Sequence, residues 1–154
     1  MSDIRRRTVA GLGVGDTFTL TRTFGPDDVD RFAALTRDYN PIHFSDRFVR
    51  SKGFTSRICH GLLVGAMITE VGGQIGWLAS GMNFRFKKPV FIGDTITCRF
   101  TLTSLGADHR ATAEAVFTNQ DDQVVMQAGL FGVLPNAAER AVLAGLLARD
   151  ARGD

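Results

Sequence analysis

The sequence predicts an α+β fold in which a curved antiparallel sheet of at least five strands packs on one buried, glycine-rich helix. One observation is the alternation of apolar and polar residues near the N-terminus and again throughout the second half. Another is a long segment between these regions that is apolar on nearly every side of a helix. Short polar joints make the later strands antiparallel neighbours. A chain of 154 residues suits a single domain with one core.

The first strand is predicted over residues 16–24, where apolar residues alternate with threonines. A short helix follows Gly25, because Pro26 suits the first helical position and the two aspartates after it suit the positive end of the helix dipole. This helix leads into a polar loop. Another short helix is expected over residues 45–52, and residues 54–59 are expected to be irregular.

The central helix is predicted over residues 60–78. Its glycines are Gly61, Gly65, Gly72, Gly73 and Gly76. Each interior glycine disfavours a helix by ~1 kcal/mol, so we expect a buried helix that other backbone approaches closely. The segment also contains Glu70 and Gln74, which make it a poor membrane span.

Four strands are predicted in the second half, over residues 82–90, 94–105, 110–118 and 123–134. The alternation is clearest in the second of these, where apolar residues alternate with threonines and an arginine. A capping pair, Asn136 with Glu139, then begins a C-terminal helix that is expected to reach about residue 149.

The overall charge does not indicate a nucleic-acid partner. The chain has 18 basic and 16 acidic residues and a net charge of +2. Arg5-Arg6-Arg7 is a local basic cluster, and we expect it to lie in a disordered N-terminal arm. Cys59 and Cys98 are too few for a disulfide scaffold, and the first residues do not have the pattern of a secretory leader. A soluble protein with free thiols in a reducing cytoplasm is therefore expected.

The most informative motif is Asp38-Tyr39-Asn40-Pro41-Ile42-His43, followed seventeen residues later by His60-Gly61. A carboxylate and an imidazole are the side chains best suited to move protons near neutral pH. The proline fixes its own φ and drives the preceding residue out of the helical region, so the loop holds its side chains in place. A helix that begins with glycine offers free backbone NH groups to an anion. The motif therefore indicates proton transfer beside a developing oxyanion.

The chain resembles the MaoC-like dehydratases and (R)-specific enoyl-CoA hydratases, a family with the hot-dog fold. The resemblance rests on residues 32–43, on His60-Gly61-Leu62-Leu63, and on Phe86-Lys87-Lys88-Pro89-Val90 followed by Gly93-Asp94. It implies a hot-dog domain over residues 16–135, between an N-terminal arm at 1–15 and a C-terminal helix and tail at 136–154. Arg37 stands where the family often has glycine, and Val49 where a small alanine or serine is usual. These departures bear on the substrate range more than on the reaction.

What the resemblance implies for activity is syn addition of water to a trans-2-enoyl thioester, giving the (R)-3-hydroxyacyl product, or the reverse dehydration. Asp38 and His43 would both bind one water. One of them removes its proton and the pair returns a proton to C2, and either group can be the base. The Gly61 NH would be the donor to the enolate oxygen. Asn40 is expected to brace the loop or the two catalytic side chains, and Thr69 to bring a hydroxyl near the site.

The resemblance also implies the partners. The substrate would be an acyl-CoA or acyl-carrier-protein thioester. The chain would form a homodimer or a higher homo-oligomer, because an uncovered edge strand has unpaired backbone groups that pairing with another copy would cover. No cofactor, nucleic acid or membrane is expected. No metal is expected either, since Asp38, His43, Cys59 and His60 match no usual ligand spacing.

Several features have more than one interpretation. The Asp38 loop also has the composition of a simple turn. His60 is expected to be an N-terminal cap or a core histidine rather than a catalytic residue. Lys87 and Lys88 either meet the phosphates of coenzyme A or are simply solvated.

Two other classes of function remain open. One is a hot-dog acyl-CoA thioesterase, since such enzymes often use an acid on the central helix and Glu70 lies in that segment. Release of a free thiol would identify it. The other is a non-catalytic acyl-CoA sensor. The sequence contains no recognisable DNA-binding helix-turn-helix, and the intact pair of Asp38 and His43 argues against a sensor.

Overall fold

A computed structural model describes residues 3–150 of the chain. The helices are α1 (Asp3–Ala10), α2 (Pro26–Thr36), α3 (Pro41–Phe44), α4 (Asp46–Ser51), α5 (Gly61–Gly65), α6 (Met67–Ile75) and α7 (Ala137–Asp150). The strands are β1 (Thr17–Thr23), β2 (Leu78–Phe86), β3 (Thr95–Leu105), β4 (Arg110–Thr118) and β5 (Val124–Val133).

The strands form one five-stranded antiparallel sheet in the order β1-β3-β4-β5-β2. Alternate residues of β3 and β4 are buried, as their period-two patterns predict. These residues pack with the apolar residues of α5 and α6 into one core, in which Ile96, Phe117 and Ile75 are completely buried. Each such side chain stabilises the fold by about 1.5–3 kcal/mol. The predicted α+β class, with a sheet packed on a central helix, is confirmed.

The central helix differs in detail from the prediction. It is two helices, α5 and α6, that meet at Ala66, and α6 ends at Gly76, which adopts the left-handed conformation with φ of 69°. Glycine adopts this conformation without a steric penalty. The chain therefore turns earlier than predicted, and the next strand begins at Leu78 instead of residue 82.

Aromatic rings, and not other backbone, lie against two glycines of α5. A Cβ added to Gly61 would lie 2.5 Å from Cε1 of Phe86, and a Cβ added to Gly65 would lie 2.9 Å from Cε1 of Phe84. The expectation of a close backbone approach is wrong at these two positions. The glycines instead allow the rings of β2 to lie directly on the first turns of the central helix.

The N-terminal segment is not a disordered arm. Residues Asp3–Ala10 form α1, and Arg5 donates hydrogen bonds to the main-chain oxygens of Gly73 and Gln74, at 3.1 and 3.2 Å. Carbonyls in the last turn of a helix have no partner within the helix, and a guanidinium supplies the missing donors. Arg7 pairs with Asp16 at 2.8 Å. No sequence pattern indicates these partners, because the carbonyls at the end of α6 lie far away along the chain.

The C-terminal helix begins as predicted. The Asn136 NH donates to Oε2 of Glu139 at 2.8 Å, and the Glu139 NH donates to Oδ1 of Asn136 at 3.0 Å. This reciprocal pair satisfies two NH groups at the helix start. The last four residues of the predicted tail lie outside the described residues. Between residues 3 and 150, the chain forms no helix that is both long enough and apolar enough to span a bilayer.

The role of Arg5 at the end of the central helix can be tested by substitution. Arg5→Met keeps a long apolar stem and removes both hydrogen bonds to α6, so we expect the free energy of unfolding to fall by about 1 kcal/mol. Arg6→Met is the matched control, because Arg6 is exposed on the same helix. Urea titrations of the two variants and the parent should show the loss only for Arg5. Equal stability of the two variants would contradict this role.

Candidate active site

The polar loop is held by its own backbone geometry. Helix α2 ends at Arg37, which has φ of 60° and ψ of 23°, the left-handed conformation that glycine adopts at little cost. Oδ1 of Asn40 accepts the NH of Ile42 at 3.2 Å and so caps α3, while the Asn40 NH donates to Oδ1 of Asp38 at 3.2 Å. Asn40 therefore braces the loop, and its main chain holds the Asp38 carboxylate.

His43 presents one free ring nitrogen. Its ring is buried, and Nδ1 lies 2.8 Å from the main-chain oxygen of Ile58. A carbonyl oxygen only accepts, so Nδ1 carries the hydrogen and the neutral ring keeps its lone pair on Nε2. Burial lowers the pKa of His43 below its ordinary value of 6.5, and the hydrogen bond to Ile58 opposes this shift. His43 is thus arranged to accept a proton near neutral pH.

His60 joins the site, which the sequence did not predict. Its ring lies against the His43 ring, with the centroids 3.8 Å apart, and its Nε2 lies 3.0 Å from the main-chain oxygen of Asp38. His60 occupies the N-cap position of α5 and is buried, so it is the core histidine that was one of the two expectations, and its side chain makes no capping hydrogen bond. The only sequence signal was a histidine placed directly before the first glycine of the helix.

Gly61 begins α5, where the NH groups of the first turn have no intrahelical acceptor. No hydrogen bond from its NH occurs among residues 3–150. Gly61 lines the same cavity as Asp38 and His43. The predicted donor therefore has no acceptor among the described residues, and its residue belongs to the lining of the cavity.

A cavity of about 670 Å³ joins these groups. Asp38, His43 and His60 form its polar part, and Lys87 and Lys88 belong to its lining as exposed side chains. The remaining lining is mostly apolar: Phe32, Phe54, Ile58, Val64, Phe86 and Met126. An apolar cavity with a few polar groups at one place suits an acyl chain whose reactive end must be oriented.

The structure does not bring Thr69 to this cavity. The Thr69 hydroxyl donates to the main-chain oxygen of Ala66 at 2.6 Å, and Thr69 lines a separate cavity of about 170 Å³. Glu70 is also elsewhere, because it pairs with Arg22 at 3.0 Å and lines neither cavity.

Two other chemistries fit the site poorly. Burial raises the pKa of the Cys59 thiol to about 12, so this residue is neither a thiolate nucleophile nor a thiolate ligand at neutral pH. Three possible ligand atoms, one each from Asp38, His43 and His60, lie within 4.8 Å of one another. A metal site also needs a spacing of this kind. However, the two rings are stacked with only 31° between their planes, so their in-plane lone pairs do not converge well on one ion.

The sequence matches the model of the MaoC-like domain over residues 10–125. It is 36% identical over 101 residues to the (R)-specific enoyl-CoA hydratase of Aeromonas caviae, a match that covers 63% of this chain and 75% of that protein. It is 30% identical over 131 residues to the mitochondrial 3-hydroxyacyl-[acyl-carrier-protein] dehydratase of Arabidopsis thaliana, covering 81% and 79% of the two chains.

The fold is also similar to solved structures. An (R)-hydratase from A. caviae involved in PHA biosynthesis superposes with a TM-score of 0.77 and 32% identity, covering 81% of this chain and 98% of that one. R-hydratase PhaJ1 from Pseudomonas aeruginosa superposes with a TM-score of 0.76 and 26% identity, covering 83% and 85% of the two chains. The chain has the hot-dog fold and belongs to the MaoC-like domain family.

Proposed function

We propose that this protein is a hydro-lyase that adds water to trans-2-enoyl thioesters to give (R)-3-hydroxyacyl thioesters, and that also catalyses the reverse dehydration. The observation that carries the proposal is a neutral His43, with Nε2 free, beside the Asp38 carboxylate in a mostly apolar cavity. The relatives named as (R)-specific enoyl-CoA hydratases and 3-hydroxyacyl dehydratases support this choice of substrate.

Asp38 and His43 would hold a single water between them. Ligand atoms of the two side chains lie within 4.8 Å of each other, a distance that two hydrogen bonds of ~2.8 Å to one water oxygen can span. As the water oxygen attacks C3, the pair takes one of its protons, and the same pair then returns a proton to C2. Because one pair of neighbouring groups both takes and returns the proton, oxygen and hydrogen would add to the same face of the double bond.

Negative charge develops on the thioester oxygen while the C3–O bond forms. The free NH of Gly61, at the start of α5, would donate to this oxygen and lower the energy of the enolate. Asp38 and His43 would then need only to take a proton from the water and return one to C2.

The carrier portion of the substrate would leave the cavity near Lys87 and Lys88. Both are exposed and both belong to the lining. Coenzyme A and acyl carrier protein both present the thioester on a phosphopantetheine arm, so an ammonium group at this position suits either carrier.

The thioesterase alternative loses its main support. Glu70 is exposed, is paired with Arg22 and lies outside the cavity that contains Asp38 and His43. The sensor alternative has no observation that favours it, since a free base beside a carboxylate is an arrangement that binding alone does not need.

We also propose that the chain forms a homodimer or larger homo-oligomer. Strand β2 lies at an edge of the sheet, where it pairs with β5 alone among the strands of the described chain. Leu78, Met82 and Phe86 are exposed on it. An uncovered edge with large apolar side chains favours pairing with a second copy.

A cytoplasmic location and the three-part division of the chain are further proposals. Cys59 and Cys98 are buried free thiols, as is usual in a reducing compartment. The family match over residues 10–125 supports a catalytic domain near residues 16–135 with additional segments at both ends.

The activity can be measured directly with crotonyl-CoA and octenoyl-CoA and no added metal or nicotinamide. We expect the enoyl absorbance to fall and the product to be the (R) alcohol by chiral analysis. Asp38→Asn and His43→Ala should each lower turnover by roughly a hundredfold or more, which excludes a contaminating hydratase. An (S) product, or release of free thiol instead of hydration, would contradict the proposal.

The lowered pKa of His43 predicts a specific dependence of stability on pH. In the unfolded chain this group titrates near its ordinary value of 6.5, whereas the folded protein binds the proton only at lower pH. Between these two values the unfolded chain holds more protons, so the free energy of unfolding falls as the pH falls below 6.5. We expect His43→Gln, which cannot bind this proton, to lose less stability than the parent.

Urea titrations at neutral pH and at several values below 6.5 measure this difference. The carboxylates titrate in both proteins and largely cancel in the comparison. Parallel loss of stability in the two proteins would mean that burial does not keep His43 neutral.

The donor role of Gly61 requires a pair of variants, because any side chain at this position meets Phe86. Gly61→Pro removes the NH, and Gly61→Ala keeps it, while both add a Cβ 2.5 Å from the Phe86 ring. His60 already has φ of −60° and ψ of 132°, the extended conformation that a following proline requires. We expect the proline variant to be about a hundredfold less active than the alanine variant.

Both variants should also be made in a Phe86→Ala background, which removes the contact between the added Cβ and the Phe86 ring. The two variants then still differ in whether residue 61 has an NH. Turnover would be compared per folded molecule. Equal activity of proline and alanine variants would remove the Gly61 NH from the mechanism.

Assembly through β2 can be tested by light scattering at micromolar concentration. We expect at least twice the chain mass of 16.7 kDa. Met82→Glu should shift the protein toward a monomer, because it places a charge on the exposed apolar edge. Thr19→Glu, on the opposite edge strand β1, is the matched control and should leave the mass unchanged. A monomeric parent protein would refute the assembly proposal.

A further inference from the structure

His60 contacts both of the residues to which the reaction is assigned. Its ring stacks on the His43 ring, with a centroid separation of 3.8 Å. Its Nε2 lies 3.0 Å from the main-chain oxygen of Asp38 and must donate, because a carbonyl oxygen only accepts. One side chain thus links the loop that carries the carboxylate to the ring that carries the free nitrogen.

Packing alone does not explain a histidine here. The side chain is only 2% exposed, and the rings of Phe32 and Phe44 lie 5.0 and 6.2 Å from it, centroid to centroid. Its Nδ1 is buried and has no hydrogen-bond partner in the part of the chain that the structure describes. A buried polar atom without a partner costs free energy that an apolar side chain would avoid. The hydrogen bond and the stacking contact are what remain to account for the histidine.

The Asp38 carboxylate depends on such support. It is half exposed, and its hydrogen bond in the described structure comes from the Asn40 NH in the same loop. Its position is therefore set by the main chain of the loop. The bond from His60 to the Asp38 carbonyl fixes that main chain against the start of α5.

His43 depends on His60 in a different way. The bond from Nδ1 to Ile58 holds one edge of its ring, but the ring can still tilt about that bond. The stacked ring of His60 blocks this movement on one face. The direction of the free Nε2 is thus set by two contacts instead of one.

We infer that His60 is a positioning residue for the hydratase reaction, an inference that rests on the proposed function. It fixes the Asp38 main chain by a hydrogen bond and the His43 ring by stacking, so that both side chains reach the same water. It takes no proton from the substrate. Groups that orient metal-binding side chains through hydrogen bonds typically contribute about tenfold to a hundredfold, and we expect an effect of that size here.

Three substitutions separate the two contacts. His60→Phe keeps a flat ring and removes the donor, His60→Gln keeps an N–H donor and removes the ring, and His60→Ala removes both. We expect kcat to fall about tenfold with phenylalanine or glutamine and about a hundredfold with alanine, while KM changes much less. Val71→Ala is the matched control, because it removes buried volume from the same central helix away from the cavity.

A coupling measurement distinguishes positioning from a general effect on the fold. If the His60 ring acts through His43, its loss should matter little once His43 is absent. We expect His60→Gln to lower the residual kcat of His43→Ala by less than about twofold. A full tenfold loss in both backgrounds would overturn the inference.

The ¹⁵N chemical shifts of the His43 ring provide a test that does not need turnover. The parent protein should show the tautomer with hydrogen on Nδ1, which the bond to Ile58 selects. In the glutamine and alanine variants the ring can tilt, which weakens this bond, so their shifts should move toward a mixture of tautomers. Unchanged ring shifts together with unchanged kcat would refute the positioning role. A parent protein that hydrates no enoyl thioester would refute the proposed function instead, and the ring shifts would still decide whether His60 orders His43.

Discussion

The hydrogen bond from Nδ1 of His43 to the main-chain oxygen of Ile58 is the constraint on which the candidate site depends. It selects the tautomer that leaves Nε2 free, and it requires an irregular segment to be held in place. The Ile58 NH donates to the oxygen of Ile42 at 3.4 Å, and Ile58 forms an isolated bridge with Phe91. Ile58 thus ties the His43 helix to the segment that leads into β3. A backbone carbonyl thereby decides which ring nitrogen of His43 is left with its lone pair free.

Small residues of the central helix lie against large residues of β2, and one such pair, Gly61 with Phe86, lines the cavity. Gly61 and Gly65 have no side chains, so the rings of Phe86 and Phe84 lie on the helix surface. These two rings are parallel within 8°, with centroids 6.5 Å apart. The same glycine that admits Phe86 also provides the NH at the helix start. The packing of the apolar wall and the position of the proposed oxyanion donor therefore depend on the same residue, and a change at Gly61 affects both.

The sequence predicted what depends on local periodicity and failed where partners are distant in the chain. The period-two segments gave β3, β4 and β5 within a residue or two, and the spacing from Asp38 to His43 pointed to the pair that the cavity joins. The bonds of Arg5 to the end of α6 and the stacking of His60 on His43 have no local pattern. Each depends on how separate elements pack, so a basic cluster and a helix-start histidine had simpler local explanations.

The candidate site concentrates features that oppose stability. His43 is kept neutral by burial, His60 has a buried Nδ1 without a partner among the described residues, and Arg37 adopts a left-handed conformation that usually costs a residue with a side chain about 1–2 kcal/mol. Local conflicts of this kind persist where the surrounding fold is stable enough to impose them, and they cluster at functional sites. Here the three features lie together, because they belong to the Asp38 loop, to His43 and to His60, which contacts both. A core that buries Ile96, Phe117 and Ile75 completely can sustain these costs, so the geometry of the candidate site depends on packing well beyond the cavity.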